Sequence, residues 1–226
     1  MIKLENITKS YGGNQVLKDL NFTFKKGKTY GIVGVNGAGK TTLFKCLTGI
    51  EKCKGKITSN AINLKNHLGY LETEPFFFEK MTGKEYIQLL CNARGIKDVK
   101  IDKKNIFDLP LNKYAETYST GMKKKLALTA ILLQKNEYFI LDEPFNGVDI
   151  QSNILIIEII KELKKLKKTL IISSHIFSTL SESCDEIILL SNGVFEKTIQ
   201  KNNFSDFEEE MKQVTIGNNI ANLKLS

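Results

Sequence analysis

The chain has 226 residues, 42% of them hydrophobic, which is enough to bury a core in one large domain or two small ones. No segment approaches the roughly 18 consecutive apolar residues of a membrane span, and the start lacks the apolar stretch of a signal peptide, so a soluble cytosolic chain is expected. The net charge of +8 would suit nucleic acid or an anionic membrane. However, the lysines are interleaved with glutamates, as in 161–168, and not with stacking aromatics, which favours a solvated helix face.

The four cysteines predict free thiols. They lie far apart, without a C-x-x-C pair or histidines at ligand spacing, and this pattern is typical of buried cysteines in a reducing compartment. They are Cys46, Cys53, Cys91 and Cys184.

The first predicted elements are two half-buried antiparallel strands. Ile2, Leu4 and Asn6 alternate with polar residues, as do the apolar positions of 20–24, and Gly12-Gly13 predicts the turn between the strands. Tyr11 precedes that turn and is a candidate for stacking on a flat base.

A phosphate-binding loop follows. The run 34–42, Gly-Val-Asn-Gly-Ala-Gly-Lys-Thr-Thr, matches G-x-x-x-x-G-K-[ST] between a predicted buried strand (29–33) and a predicted helix (43–47). Glycines without a Cβ let backbone N–H groups approach phosphate, and the helix adds the positive end of its dipole. The residues predicted to bind nucleotide are Tyr11, Gly34, Asn36, Gly37, Ala38, Gly39, Lys40, Thr41 and Thr42.

Three of these residues have distinct predicted roles. Lys40 would reach the β- and γ-phosphates, and the Thr41 hydroxyl would ligate Mg²⁺. Thr42 is placed to touch the α-phosphate.

The middle of the chain predicts a helical insertion in an α/β domain. Short strands are expected at 55–58 and 68–71, after which 75–133 has a helical pattern with a linker around Pro110. Residues 122–133 are predicted to form a long amphipathic helix. We place the inserted helical subdomain at roughly 75–130 of a single domain spanning 1–226.

The second half predicts further buried strands. Residues 138–141, 169–172 and 186–190 are apolar runs, and the last continues through Asn192-Gly193 into a hairpin. A helix is expected over 152–166, with its apolar stripe at Leu155, Ile159, Leu163 and Leu166. From about residue 201 the chain becomes a polar tail, with a short helix over 207–214.

An acidic pair ends the first of these strands. Asp142 is a candidate Mg²⁺ ligand, because hard cations choose carboxylate oxygens. Glu143, one residue further, could polarise an attacking water. A strand-end Asp-Glu pair alone is usually solvated, but its position after four apolar residues, together with Lys40, indicates a site.

The order of these motifs resembles the nucleotide-binding domain of ATP-binding cassette (ABC) transporters, up to about residue 200. The segments that carry the resemblance are Tyr11, 34–42, 118–122, 140–144, 146–149 and 174–175. It implies a P-loop NTPase core sheet with an N-terminal antiparallel β subdomain and an inserted α-helical subdomain. It also implies an ATPase that uses ATP and Mg²⁺ and works as a head-to-tail homodimer, with two ATP molecules held between the subunits.

Residues 118–122 are similar to the family's signature sequence Leu-Ser-Gly-Gly-Gln. The resemblance implies that Ser119, Thr120, Gly121 and Met122 would meet the γ-phosphate bound by the other subunit. As a bare pentapeptide, the same stretch predicts a helix N-cap, and the two roles can coexist. The Ser-x-Gly-Met form of this sequence favours a cassette of the exporter type.

Three more positions take roles from the resemblance. Asp149 would lie in the loop of cross-talk between subunits, and His175 would reach the γ-phosphate as a switch. Thr73 stands where the family usually has a glutamine that contacts Mg²⁺ and the attacking water; Glu72, Glu74 and a water bridging from the Thr73 hydroxyl are the alternatives for this role. This departure affects hydrolysis and coupling more than nucleotide binding.

The partner implied is a transmembrane permease. Three successive aromatics, 76–78, cannot all face inward, and in the family this region receives a helix of the membrane subunit; burial under the helical insertion is the alternative. The predicted location is cytoplasmic, at the inner face of the membrane. No nucleic-acid partner is expected. A soluble cassette ATPase acting on ribosome or DNA is the second hypothesis, and a small-molecule P-loop kinase the third.

Overall fold

The computed structural model describes residues 1–175 and 177–222, and in these ranges it has nine β-strands and six α-helices. The strands are β1 (Ile2–Tyr11), β2 (Asn14–Phe24), β3 (Thr29–Val33), β4 (Lys54–Ser59), β5 (Leu68–Leu71), β6 (Tyr138–Asp142), β7 (Thr169–Ser173), β8 (Glu186–Ser191) and β9 (Val194–Gln200). The helices are α1 (Lys40–Thr48), α2 (Gly83–Asn92), α3 (Thr120–Leu133), α4 (Ile150–Lys165), α5 (Phe177–Ser183) and α6 (Phe204–Asn222). None of the described helices is both long and apolar enough to cross a bilayer.

The larger sheet has the strand order β5-β6-β7-β3-β8-β9, with only β9 antiparallel to its neighbour. Successive residues of its strands face two separate cores. Ile140 and Ile171 pack with α1 and the N-terminal strands, whereas Leu141 and Ile172 pack with the other helices. Both faces of the sheet are covered, so its strands are continuous apolar runs in the sequence, as predicted.

The smaller sheet, β2-β1-β4, is antiparallel, which confirms the predicted N-terminal β subdomain. The predicted inward position of Asn6 is wrong. Asn6 is exposed at φ 55°, inside a register shift between β1 and β2, and Ile7 takes the buried position instead. A β-bulge moves the alternation by one residue, which a strict period of two cannot anticipate.

The region between β5 and β6 is less helical than predicted. It contains α2 and α3, but 93–119 has only short 3-10 turns, at 102–104 and 115–117, and irregular chain. The prediction that α3 is amphipathic is also wrong. No residue from 121 to 133 is exposed, because α3 packs against both α2 and β5.

Helix α4 buries a face that shares only Leu163 with the predicted stripe. Ser152, Ile156, Ile160 and Leu163 are buried, whereas Leu155 is 39% and Leu166 66% exposed. Apolar residues occupy several faces of α4, so periodicity alone could not choose the docked stripe.

The remaining predictions concern the cysteines and the C-terminal tail. All four cysteines are free; three are buried and Cys53 is half-buried. Helix α6 begins three residues earlier than the helix predicted over 207–214 and continues to Asn222. The last four residues of the tail, 223–226, lie outside the described residues.

Candidate functional site

Five parallel strands, β3, β5, β6, β7 and β8, end at the same edge of the larger sheet, where ligands commonly bind in such folds. The segments that leave this edge and the tip of the N-terminal hairpin enclose a cavity of about 550 Å³. Its lining residues are Tyr11, Val16, Val35, Asn36, Gly37, Gly39, Lys40, Thr41, Thr42, Thr73, Asp142, Glu143, Asn146 and His175. Most of the predicted nucleotide-binding residues therefore lie around one cavity.

The phosphate loop joins β3 to α1. Its lysine, Lys40, is the first residue of α1 and is 93% buried, with Nζ donating to the carbonyl oxygen of Gly34 at 2.6 Å. Gly39 precedes it at φ 107°, a left-handed conformation that favours glycine. The loop thus aims a buried ammonium and the first N–H groups of α1 at the cavity.

Two residues of the predicted loop are not in the cavity lining. Gly34 is tightly packed, because a Cβ there would lie 2.3 Å from the carbonyl oxygen of Leu190. Ala38 is buried, and its N–H donates to the carbonyl of Val35 at 3.1 Å. Both residues shape the loop rather than line the cavity.

The predicted metal ligands are in contact. Thr41 Oγ1 donates to Asp142 Oδ2 at 2.7 Å, and Asp142 is fully buried. No group of three or more His, Cys, Asp or Glu side chains among the described residues could hold a metal ion. Mg²⁺ is usually held by one or two protein oxygens together with substrate phosphates and water, so this pair of hard oxygens fits it.

The carboxylate of Glu143 lies between the side chains of Lys40 and His175. Its Oε1 is 3.6 Å from Lys40 Nζ, and its Oε2 is 2.9 Å from His175 Nδ1. The backbone of Glu143 has φ 50°, a conformation that is uncommon for a residue with a side chain and concentrates at functional sites. The turn aims the carboxylate into the cavity next to the phosphate loop.

Ser173, the last residue of β7, supports this acidic pair. Its hydroxyl donates to Asp142 Oδ1 at 2.6 Å and accepts from the Glu143 N–H at 2.9 Å. Ser173 was not among the predicted site residues, although a polar residue at the end of a buried strand was an available signal. Val16, Val35 and Asn146 also line the cavity without having been predicted to do so, although Val35 and Asn146 belong to the segments 34–42 and 146–149 that carry the family resemblance.

Tyr11 and Thr73 both line the cavity. Tyr11 is 44% exposed, and its ring lies under the ammonium of Lys9, 4.6 Å from Nζ. Thr73 lines the cavity, whereas its neighbour Glu72 lines a separate groove and Glu74 is exposed. Of the three candidates for the missing glutamine, Thr73 is the one that borders the cavity.

The signature residues are at the exposed start of α3. Ser119 and Thr120 are exposed, and Ser119 Oγ caps the helix by accepting from the Met122 N–H at 3.3 Å. Gly121 packs against the loop after β6, because a Cβ there would lie 2.6 Å from the Gly147 carbonyl oxygen. None of the residues 119–122 lines the cavity of its own chain.

Asp149 ends the loop after β6 and caps α4. Its carboxylate accepts from the Ser152 N–H at 2.9 Å and contacts Lys125 Nζ at 3.1 Å. The hydrogen bonds from Ser152, followed by the one from Lys125, hold the pKa of Asp149 well below its usual range. Asp149 therefore remains an anion beside the signature helix.

The family model for ABC transporters matches residues 17–146, more than half of the chain. The chain belongs to the ABC transporter family. The cassette is 32% identical over 231 residues to the bacitracin transport ATP-binding protein BcrA of Enterococcus faecalis, a match that covers 95% of this chain and 73% of BcrA. It is 31% identical over 196 residues to the ABC transporter ATP-binding protein NatA of Bacillus subtilis (strain 168), covering 79% of each.

Its fold is that of solved ABC cassettes. The dimeric cassette MJ0796, in a post-hydrolysis state bound to ADP and Pi, aligns with a TM-score of 0.82 at 20% identity, over 89% of this chain and 99% of MJ0796. The α/β fold with an antiparallel β subdomain is thus confirmed. This ABC cassette is an ATP-binding and ATP-hydrolysing transporter subunit, and the nucleic-acid alternative is not favoured.

Proposed function

We propose that the protein binds Mg²⁺-ATP in the described cavity, as a head-to-tail homodimer, and drives a membrane permease of the exporter type from the cytoplasmic face. The observation that carries the proposal is a division of the site. The phosphate-loop lysine and the acidic pair line the cavity, while Ser119 is exposed outside it. A second copy can bring its own Ser119 to the nucleotide, and two-fold symmetry would then repeat this contact at the second site.

Within one subunit, the chain's residues would divide the work of binding ATP. Lys40 and the N–H groups at the start of α1 neutralise the β- and γ-phosphates. Thr41 and Asp142 hold Mg²⁺, which supplies further neutralisation of phosphate charge when bound. Tyr11 offers an exposed ring for stacking on the base.

Hydrolysis would depend on Glu143. Its carboxylate orients a water and accepts a proton from it as the water oxygen bonds to the γ-phosphorus and the bond to the ADP oxygen breaks. His175 contacts this carboxylate at 2.9 Å, and we infer that it also reaches the γ-phosphate. Thr73 borders the same cavity in place of the family's glutamine.

The second subunit would complete the site. Its Ser119 hydroxyl and the N–H groups of the first turn of α3, from Thr120 to Met122, contact the γ-phosphate from the side opposite Lys40. Asp149 lies at the end of the loop that packs against this turn, and we infer that it contacts the second subunit across the dimer.

The permease would dock at a groove between the larger sheet and α2. Phe76, Tyr86, Leu90 and Arg94 are among the residues that line it, and Phe76 and Phe78 are 68% and 52% exposed. Exposed aromatic side chains beside an apolar groove are typical anchors for a partner helix. We further propose that 1–226 is one ATP-binding domain, with its helical subdomain at roughly 75–130 and its tail from about 201.

The variant Glu143→Gln tests the proposal. It removes the water-activating carboxylate while leaving the Lys40 and Thr41 contacts to phosphate in place. We expect hydrolysis to fall by roughly a hundredfold or more, with ATP affinity retained. Size-exclusion chromatography with saturating Mg²⁺-ATP should then show a stable dimer.

The matched control is Glu196→Gln, an exposed glutamate on β9 outside the cavity. It should hydrolyse ATP like the wild type and form no lasting dimer. A Glu143→Gln protein that binds ATP but stays monomeric would refute the two-subunit site.

A further inference from the structure

Lys124 is an unusual lysine. It lies on α3, two residues after the signature segment, and is 1% exposed. Within the described residues, no carboxylate oxygen lies within ion-pair distance, 4.0 Å, of its ammonium. Burial is the largest influence on the pKa of Lys124 and lowers it, while Glu143, Asp142 and Glu74 act in the opposite direction. A buried lysine without an ion pair is costly, so its contacts need an explanation.

Two backbone carbonyl groups bind this ammonium. Lys124 Nζ donates to the carbonyl oxygen of Glu143 at 2.8 Å and to that of Asn146 at 2.9 Å. Both acceptors belong to the loop of residues 143–149, which we call the acidic loop. Hydrogen bonds from a charged donor in a dry interior are among the stronger ones.

One of these carbonyls belongs to the residue with the strained backbone. Glu143 has φ 50°, and its peptide groups are held on both sides. Ser173 accepts from the N–H at 2.9 Å, and Lys124 donates to the C=O at 2.8 Å. A strained conformation persists when its surroundings over-determine it, and these two contacts do so here.

We propose that Lys124 is a positioning residue for ATP hydrolysis: its ammonium holds the acidic loop so that the Glu143 carboxylate faces the phosphate loop. This inference rests on the proposed role of Glu143. Lys124 touches neither the cavity nor the predicted phosphate contacts, so it acts through Glu143 and not on the nucleotide.

Helix α3, which carries Lys124, also connects the two parts of the proposed ATP site. These are the signature residues, which would contact the partner's ATP, and the acidic loop, which carries the chain's own Glu143. Helix α3 has Ser119 as its N-cap, and Gly121 of that helix packs directly against the Gly147 carbonyl. Lys125 contacts Asp149 at the far end of the acidic loop, at 3.1 Å. The exposed tip that would meet the partner's ATP is therefore braced against the loop that carries the chain's own Glu143.

The test is Lys124→Met, which keeps most of the side-chain volume and removes the charged donor. Two buried carbonyls lose their partner, so we expect kcat for ATP to fall about ten- to a hundredfold. KM for ATP should stay within about threefold, because Lys40 and Thr41 are untouched. The matched control is Lys135→Met, an exposed lysine just beyond the end of α3, which should leave both constants unchanged.

A double-mutant cycle with Glu143→Gln distinguishes positioning from a general loss of structure. If Lys124 acts through Glu143, then Lys124→Met should reduce the residual single-turnover rate of Glu143→Gln by less than about twofold. Binding of a fluorescent ATP analogue reports whether each variant is folded. Should Lys124→Met fail to purify folded, Lys124→Gln replaces it in the same cycle under the same criteria.

Two results would overturn the inference: a kcat equal to that of Lys135→Met, or losses that multiply in the double variant. Both results leave the proposed function intact, provided that the wild type hydrolyses ATP and Glu143→Gln does so roughly a hundredfold more slowly. If Glu143→Gln retains the wild-type rate, the proposed function itself has failed.

Discussion

Ser173→Ala is the substitution for which the structure makes the most quantitative prediction. Ser173 is fully buried at the end of β7. Its hydroxyl donates to Asp142 Oδ1 at 2.6 Å and accepts from the Glu143 N–H at 2.9 Å. Alanine removes both contacts without creating a clash, so the change isolates the hydroxyl.

Two contributions determine how much Ser173→Ala lowers the free energy of unfolding. A hydrogen bond to a charged group contributes about 1.5–3 kcal/mol, and leaving the buried Glu143 N–H unpaired costs about 1–3 kcal/mol. Part of this destabilisation is offset, because alanine has no hydroxyl group that must be desolvated on folding. We therefore expect a net destabilisation of about 3 kcal/mol, near the lower end of the sum.

Thermal unfolding followed by circular dichroism measures this effect. For a chain of this size, about 3 kcal/mol corresponds to a melting temperature about 6–12 °C lower. The matched control is Ser10→Ala, a serine on the exposed side of β1, which should change stability by less than about 0.5 kcal/mol. Indistinguishable melting of the two variants would show that Ser173 does not support the acidic pair.

Two further predictions concern the cavity wall and the cap of α4. Thr73→Gln should leave ATP affinity within about threefold in a fluorescent-analogue titration, because Thr73 borders the cavity without belonging to the phosphate loop; a large loss of binding would show that Thr73 is wrongly aligned with the family's glutamine. Asp149→Asn keeps a capping oxygen and removes the charge. Because the fold lowers the pKa of Asp149, the charge stabilises the protein above the ordinary aspartate pKa of about 4, and this contribution is lost as the pH falls below it. The melting temperature of Asp149→Asn should therefore lie below that of the wild type at pH 7, and the difference should shrink as the pH is lowered from about 4 toward 2; a difference independent of pH would contradict this.

Local signals in the sequence were sufficient for the motifs of the site. The phosphate loop was predicted because Lys40 and its glycines belong to one short segment whose chemistry demands those residue types. The strands 138–141 and 169–172 were predicted because both faces of a central parallel strand are buried, which leaves continuous apolar runs. Because these neighbouring strands are parallel, their carboxyl ends lie at the same edge of the sheet, and Asp142 and His175 therefore reach the same cavity.

The local sequence could not predict which face of a helix or strand would be buried. Helix α4 carries apolar residues on several faces, and docking on its neighbours buried Ile156 and Ile160 instead of Leu155 and Ile159. Asn6 faces solvent because a bulge shifts the strand by one residue. In each case, contacts with a segment distant in sequence determine which residues are buried, because the local pattern is compatible with more than one buried face.

The sequence alone therefore determined the fold class and which short segments carry the phosphate and acidic chemistry, because those properties reside in contiguous residues. Only the tertiary structure decided how the acidic turn is held. Ser173 and Lys124 meet Glu143 from residues 30 and 19 positions away along the chain. A serine ending a strand and one lysine in a run of three acquire these roles only when the sheet and α3 bring them together.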